Sequence, residues 1–206
     1  MNKTHVSQIG KACFVNELVL VYLENNKYIY QPDEDISFLY FPETAVFSEF
    51  QILQNEKITE ILMTGREGIL GLSSIFSSPL SPILTQVLQG GQALRGDTKS
   101  LKRNLDGNGE IRESVFEFVS LLKNQISQKL IRNGFHSIEE RLCTGLLMIQ
   151  DGAGNSNIQI THEKIGISFG VHHPNVTQIT KVLRDEKIIY YQKGKKNNPK
   201  SSKIGI

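Results

Sequence analysis

The stretch that most constrains the fold is residues 161–183, THEKIGISFGVHHPNVTQITKVL. Ile165 and Phe169 stand four positions apart and give a first short helix one apolar face. Gly166 is small enough to let a second helix pass close by. Gly170 supplies the turn, because a left-handed backbone costs a residue without Cβ nothing. Val176 and Ile179, then Val182 and Leu183, return at helical spacing and are expected to pack the second helix onto the first. Thr161 suits the N-cap of the first helix, and Pro174 is tolerated only in the first turn of the second. Together these positions match helix-turn-helix spacing. His172, His173, Asn175, Gln178 and Lys181 then fall on the outward side of the second helix, where a recognition helix meets the major groove. An ordinary pair of packed core helices would satisfy the same spacing, so the rest of the chain has to decide.

Charge is the first arbiter. The net charge of +2 is unevenly divided: residues 1–110 carry 9 basic against 13 acidic side chains, and residues 111–206 carry 14 against 8. Residues 152–206 alone hold 9 basic and 3 acidic residues. A basic module on an acidic body is the electrostatic footprint expected for contact with a polyanion. At 206 residues the chain has room for one large domain or two small ones. No stretch approaches the roughly 18 uninterrupted apolar residues of a membrane span. The opening MNKTHVSQIGKA lacks the apolar core of a secretory signal. A cytoplasmic protein with no membrane partner is the expectation. Cys13 and Cys143 are its only cysteines, too few for a disulfide scaffold or a four-cysteine zinc or iron–sulfur site within one chain.

From about Glu17 to Arg95 the pattern is one of short strands between turn signals. LVLVYL (18–23), SFLYF (37–41), AVFSEFQIL (45–53) and KITEILM (57–63) are rich in β-branched and aromatic residues. Strands at this spacing predict an antiparallel sandwich or roll. The pattern then changes period. Ile111, Val115, Phe118, Leu122, Ile126 and Leu130 recur at steps of three and four, widened by Val119, Leu121 and Ile131. They predict a helix of roughly 22 residues, about 33 Å long, ending at a break at Asn133-Gly134. Its stripe has two possible customers, the strand domain and a second copy of itself, and periodicity alone does not choose between them. Ser137 and Glu140 form a capping box for a further helix to about Gln150, with Ile138, Leu142, Leu146 and Ile149 inward. Residues 151–157 (DGAGNSN) read as a loop and 158–160 as a short strand. After the helix-turn-helix, 188–192 read as a strand, 193–195 as a turn and 203–206 as a returning strand, which makes a basic wing.

No other constellation carries chemistry. His162 and Glu163 with His172 and His173 are better read as surface polar residues than as a metal site. The run from Asp106 to Glu110 lacks the remaining ligands of a calcium loop. Ser73, Ser74, Ser77, Ser78 and Ser81 lie in no nucleophile elbow. No catalytic residue, no metal site and no cofactor is expected, so the chain is not read as an enzyme. Cys13 and Cys143 are read as small apolar residues.

The order of parts resembles the Crp/Fnr family of bacterial transcription regulators over nearly the whole chain. YFPETAVFS (40–48) followed by TGREGILGL (64–72) is similar to the family's sensor domain, HSIEERLCTGLLMIQD (136–151) to its domain junction, and THEKIGISFGVHHPNVT (161–177) to its winged helix. The resemblance implies an α+β protein in three parts. Residues 1–108 would form a cyclic-nucleotide-binding-like, antiparallel double-stranded β-helix of jelly-roll type. Residues 109–135 would be a long dimerisation helix, and 136–206 a winged helix-turn-helix domain. It also implies a homodimer on double-stranded DNA of approximately palindromic sequence, contacting RNA polymerase if it activates. His173, Asn175 and Gln178 would approach base edges, with His172 and Lys181 on the same face. Thr161, His162, Thr177 and the wing residues Lys193, Lys195 and Lys196 would take phosphates.

Departures from the family pattern matter as well. Glu67 survives in GREGILG, but the following SSIFSSPLSPILTQ (73–86) has no arginine to hold a cyclic phosphate. The sensed signal is therefore not expected to be cyclic AMP, and Arg66, Glu67 and Arg95 are candidate pocket residues for an unidentified effector. His172 and His173 stand where relatives often carry two arginines, and a neutral histidine cannot make the bidentate arginine–guanine contact. That substitution keeps open a second reading, a ligand- or protein-interaction module whose winged helix is degenerate.

Overall fold

The computed structural model describes residues 17–54, 58–155, 157–171, 173–193 and 202–205. Within these residues the first half is a roll of two antiparallel sheets. Strands β1 (Val19–Leu23), β7 (Gly91–Asp97) and β3 (Phe38–Pro42) form one, in that spatial order. Strands β2 (Tyr28–Tyr30), β6 (Leu84–Gln89), β4 (Val46–Ile52) and β5 (Ile58–Thr64) form the other. The pairings are antiparallel throughout. Side-chain alternation divides each strand between two faces. Leu23, Tyr30, Phe47, Val87 and Ala93 fill the space between the sheets.

Part of each outer face is also covered, while Leu20 and Tyr22 of β1 stay exposed. Over the three-stranded sheet, Leu39 and Phe41 pack with Ile75 of a single helical turn, α1 (Ser73–Phe76). The same cluster takes in Leu101 and Leu105 of helix α2 (Thr98–Gly107), then Ile111, Val115 and Phe118 of the long helix α3 (Gly109–Phe135). Over the four-stranded sheet, Val46, Met63 and Leu88 join Leu142, Leu146 and Ile149 of helix α4 (Ile138–Ala153). The cluster continues into Ile165 and Phe169 of helix α5 (His162–Phe169) and Val176 and Ile179 of helix α6 (His173–Asp185). A third, small sheet pairs β8 (Asn157–Gln159), β10 (Ser202–Gly205) and β9 (Tyr190–Lys193), all antiparallel. The architecture is α+β.

Several sequence expectations need correction. The long helix does not break at Asn133-Gly134: α3 runs for 27 residues, about 40 Å, through Gly134 to Phe135. Its stop comes from the next helix's cap. His136 is extended, its N–H still bonded to the Arg132 carbonyl at 3.0 Å. Ser137 then forms the expected reciprocal capping box with Glu140. Helix α4 likewise passes Gln150 and ends at Ala153, closed by Gly154 at φ 66°. The Asp-Gly pair that reads as a turn is helical because Gly152 meets Gly65. A Cβ on Gly65 would lie 2.5 Å from the Gly152 Cα. Helix α2 was not anticipated from residues 98–107; it is mostly polar and is held by Asp97 as N-cap and by buried Leu101 and Leu105. Val182, expected inward, is exposed, and Thr180, two positions earlier, is buried. The first wing strand falls two residues later than expected at its start, on Tyr190, and includes Lys193.

Candidate nucleic-acid interface

Helix α5 starts where Thr161 caps it: the threonine hydroxyl accepts the Lys164 amide at 3.2 Å. It ends at Gly170, whose φ of 63° is the left-handed conformation the turn requires. The Val171 amide donates back to the Gly166 carbonyl at 2.8 Å and locks the turn. Ile165, Phe169, Val176 and Ile179 then meet as a shared core. His162 bridges the two helices, with Nδ1 3.3 Å from the Thr177 hydroxyl and Nε2 3.5 Å from that of Thr180. Thr180 also donates to the Val176 carbonyl at 2.7 Å, which satisfies its buried hydroxyl inside α6.

What remains outward on α6 is polar apart from Val182. Thr177, Gln178 and Lys181 are exposed and Asn175 is half-buried. Asn175, Gln178 and Val182 border a groove of about 340 Å³ whose other wall is Ile138 and Glu139 at the start of α4. His173 opens α6 and Lys193 closes β9; His172, Lys195 and Lys196 lie outside the described residues. The structure thus brings Thr161, His162, Asn175, Thr177, Gln178 and Lys181 onto one helix-turn-helix unit. Lys164 belongs to the opposite side. Its ammonium is buried with no hydrogen-bond partner among the described residues, and burial pushes its pKa down to about 8.

The three candidate pocket residues turn to different neighbours. Arg66 lies against the end of α4, its amide donating to the Gly152 carbonyl at 3.3 Å and its guanidinium beside Gly154. Glu67 sits over Gly65 in the same segment. Arg95, on β7, stacks its guanidinium 4.3 Å from the Phe38 ring centre and faces Tyr40 across the strand pair. Burial pushes the Tyr40 hydroxyl up, and Arg95 partly offsets this.

Two strand carboxyls, Glu60 buried and Glu49 half-buried, were missed from sequence. A bulge between Glu49 and Phe50 of β4 lies beside them. Glu49 accepts from Thr64 at 3.1 Å, and burial drives its pKa up to about 7. Glu60 is on the outer face of the sheet, where Lys129 of α3 pairs with it at 2.6 Å and Ser48 donates to it at 2.6 Å. Burial raises the Glu60 pKa, while Lys129, Ser48 and the neighbouring Ser168 of α5 pull it back. An acid on an otherwise apolar strand face was the available signal, but the partner 69 positions away was not. Cys143 is half-buried, and burial followed by Glu139 pushes its thiol up, away from a reactive thiolate. Among the described residues, no group of three His, Cys, Asp or Glu side chains could hold a metal ion, and no helix is long and apolar enough to cross a membrane.

No protein-family model and no curated protein sequence matches the chain. Solved structures do. FixK2 from Bradyrhizobium japonicum aligns over 92% of each chain with a TM-score of 0.72 at 14% identity. CLP from Xanthomonas campestris, a c-di-GMP-responsive global regulator, covers 97% of this chain and 98% of its own with a TM-score of 0.67 at 11% identity. TTHB099, a CRP-family transcriptional regulator from Thermus thermophilus, covers 82% and 87% with a TM-score of 0.67 at 12% identity. The fold is that of the Crp/Fnr transcription regulators. In this chain the roll, the long helix and the helix-turn-helix unit follow one another in that order. The recognition made from residues 40–48, 64–72, 136–151 and 161–177 holds at the level of the fold.

Proposed function

We propose that the chain is a cytoplasmic, homodimeric transcription regulator that binds double-stranded DNA. The observation that carries this reading is the exposed polar face of α6, on a helix-turn-helix whose apolar side is buried. His173, Asn175 and Gln178 approach base edges, Gln178 or Asn175 pairing with adenine. Thr161, His162, Thr177, Lys181 and the wing residues Lys193, Lys195 and Lys196, with His172 beside them, supply phosphate contacts and much of the affinity.

Dimerisation is assigned to α3. Its N-terminal half is buried on the roll, whereas Ile126 is 44%, Leu130 68% and Phe135 86% exposed. Apolar residues on such a face are covered economically by a second copy in coiled-coil fashion. Two α6 helices then meet successive major grooves about 34 Å apart on an approximately palindromic site. Residues 1–108 sense an effector other than cyclic AMP and bias the dimer geometry through α3. RNA polymerase is the further partner if the protein activates.

The test is the salt dependence of duplex binding. Affinity should fall steeply with salt, and replacing Lys193, Lys195 and Lys196 by Gln should flatten the log–log slope by about three. An unchanged slope contradicts the wing's role, and no duplex binding at low salt contradicts the whole reading in favour of a ligand- or protein-interaction module.

A further inference from the structure

A small cleft sits where β5, α3, α4 and α5 converge, and its charges do not balance. Three cations line it, Lys129 and Arg132 from α3 and Arg141 from α4, against one acid, Glu60. Glu60 is already matched to Lys129 at 2.6 Å. Among the described residues, the Arg132 guanidinium donates only to the Met148 sulfur at 3.9 Å, a weak acceptor. The Arg141 Nε is buried and donates to nothing among the described residues. A buried guanidinium N–H without an acceptor costs free energy and asks for an explanation. Neutral donors, Asn133 and Thr144, complete the wall. The cavity measures about 60 Å³, several times the roughly 10–15 Å³ that one water needs.

We propose that this cleft binds a small oxyanion, a phosphate group, between Arg132 and Arg141. Guanidinium forks match phosphate oxygens in a bidentate way, and two unmatched forks lining one cavity of this size are the arrangement that chemistry selects. The site has a mechanical consequence, which rests on the DNA-binding reading above. Arg132 is in the last turn of the helix that carries the roll and the dimer stripe. Arg141 is in the first turns of the helix that carries the winged domain. A phosphate held by both ties the two helices across the Phe135–His136–Ser137 bend. It thereby favours one orientation of α6 by its difference in affinity between orientations.

The experiment uses the full chain without DNA, at constant ionic strength, with inorganic phosphate titrated against chloride. The Nε–Hε resonances of Arg132 and Arg141 are followed by NMR. Both should shift together and saturate, and Arg132→Gln and Arg141→Gln should each weaken binding by about tenfold, the loss expected for one charge-assisted contact. Arg132→Gln is the decisive variant, because among the described residues that side chain has only the weak Met148 hydrogen bond to lose. No saturable shift of either resonance, or unchanged phosphate affinity in Arg132→Gln, overturns the site. Ribose 5-phosphate provides a second arm: tighter binding than inorganic phosphate assigns the cleft to a phosphorylated metabolite, equal binding to free phosphate. DNA binding by the same samples is scored separately. Phosphate binding without any DNA binding would leave the cleft standing and remove its regulatory meaning.

Discussion

Helices α5 and α6 come from one motif, yet their surroundings differ in kind. Helix α5 presents Ile165, Ser168 and Phe169 to the sheet and to α4, all buried. Beyond it lies a seam in which residues of the roll and of the winged domain share one apolar cluster, with the Glu60–Lys129 pair at its edge. Helix α6 keeps Val176 and Ile179 inward and leaves Thr177, Gln178 and Lys181 to solvent. The long helix repeats the contrast along its length, with Phe118 buried and Leu130 68% exposed on one continuing stripe. Faces already used by the protein itself are apolar or paired, except at Lys164 and Arg141, whose buried nitrogens have no partner among the described residues. The faces left over, polar on α6 but for Val182 and apolar on α3, are the ones we assign to DNA and to a second copy. Substitutions on used faces should therefore cost stability, and those on free faces should cost binding while leaving stability alone.

The largest effect is expected at the seam. Lys129→Met leaves the Glu60 carboxyl buried without its counter-ion and should cost about 3–5 kcal/mol in urea unfolding, the range for a buried pair broken on one side. Adding Glu60→Gln should recover more than half of that. A loss below about 1 kcal/mol would mean that the seam is wet and that the contrast between the two helices is weaker than the geometry implies.

Glu49 sharpens the same contrast inside the roll. Its pKa stands at about 7 when folded against an ordinary 4.5. The folded state therefore holds the proton more tightly, and the resulting stability is complete below about pH 4.5 and lost as pH rises through about 7. The loss should approach about 3 kcal/mol, and Glu49→Gln should abolish it. Stability curves of the two proteins that stay parallel from pH 5 to 8 would show that the Glu49 carboxyl keeps its solvation in the fold.

Thr161 lies on the boundary between the two classes. Losing its cap on α5 in Thr161→Ala should cost about 1 kcal/mol. Its proposed phosphate contact should weaken DNA binding at the same time, and a variant of normal stability and normal affinity would deny it both roles. Smallest in stability should be the free faces. Gln178→Ala and Leu130→Glu are each expected to stay within about 0.5 kcal/mol for the isolated protomer. Sedimentation should nevertheless show Leu130→Glu shifted toward monomer. An unshifted dimer would move the interface elsewhere.

Much of this contrast was legible in the sequence, and the reason is local. Gly170, the Ser137–Glu140 box and the spacing of Ile165, Phe169, Val176 and Ile179 act over a few residues, and each is where its pattern put it. The failures share an opposite cause. Helix α4 ignores its Asp151-Gly152 turn signal because Gly152 answers to Gly65, 87 positions earlier and on another element. Val182 reads as inward by period alone, but the α6 core contact is completed by Ile179, Thr180 and Leu183. The stripe on α3 has the right period along its whole length, and periodicity carries no information about which half meets the roll. Glu60 and Lys129, Arg132 and Arg141, and the dispersal of Arg66, Glu67 and Arg95 all depend on how distant elements meet.

The central claim is that the free face of α6 reads DNA sequence as one half of a symmetric pair. A salt-titrated selection of the full chain against random duplex DNA tests it most directly. Enrichment of an inverted repeat with half-sites about one helical turn apart, altered in sequence by Gln178→Ala, is the expected result. Uniform weak binding with no enriched repeat, or the same repeat selected by Gln178→Ala, would contradict it.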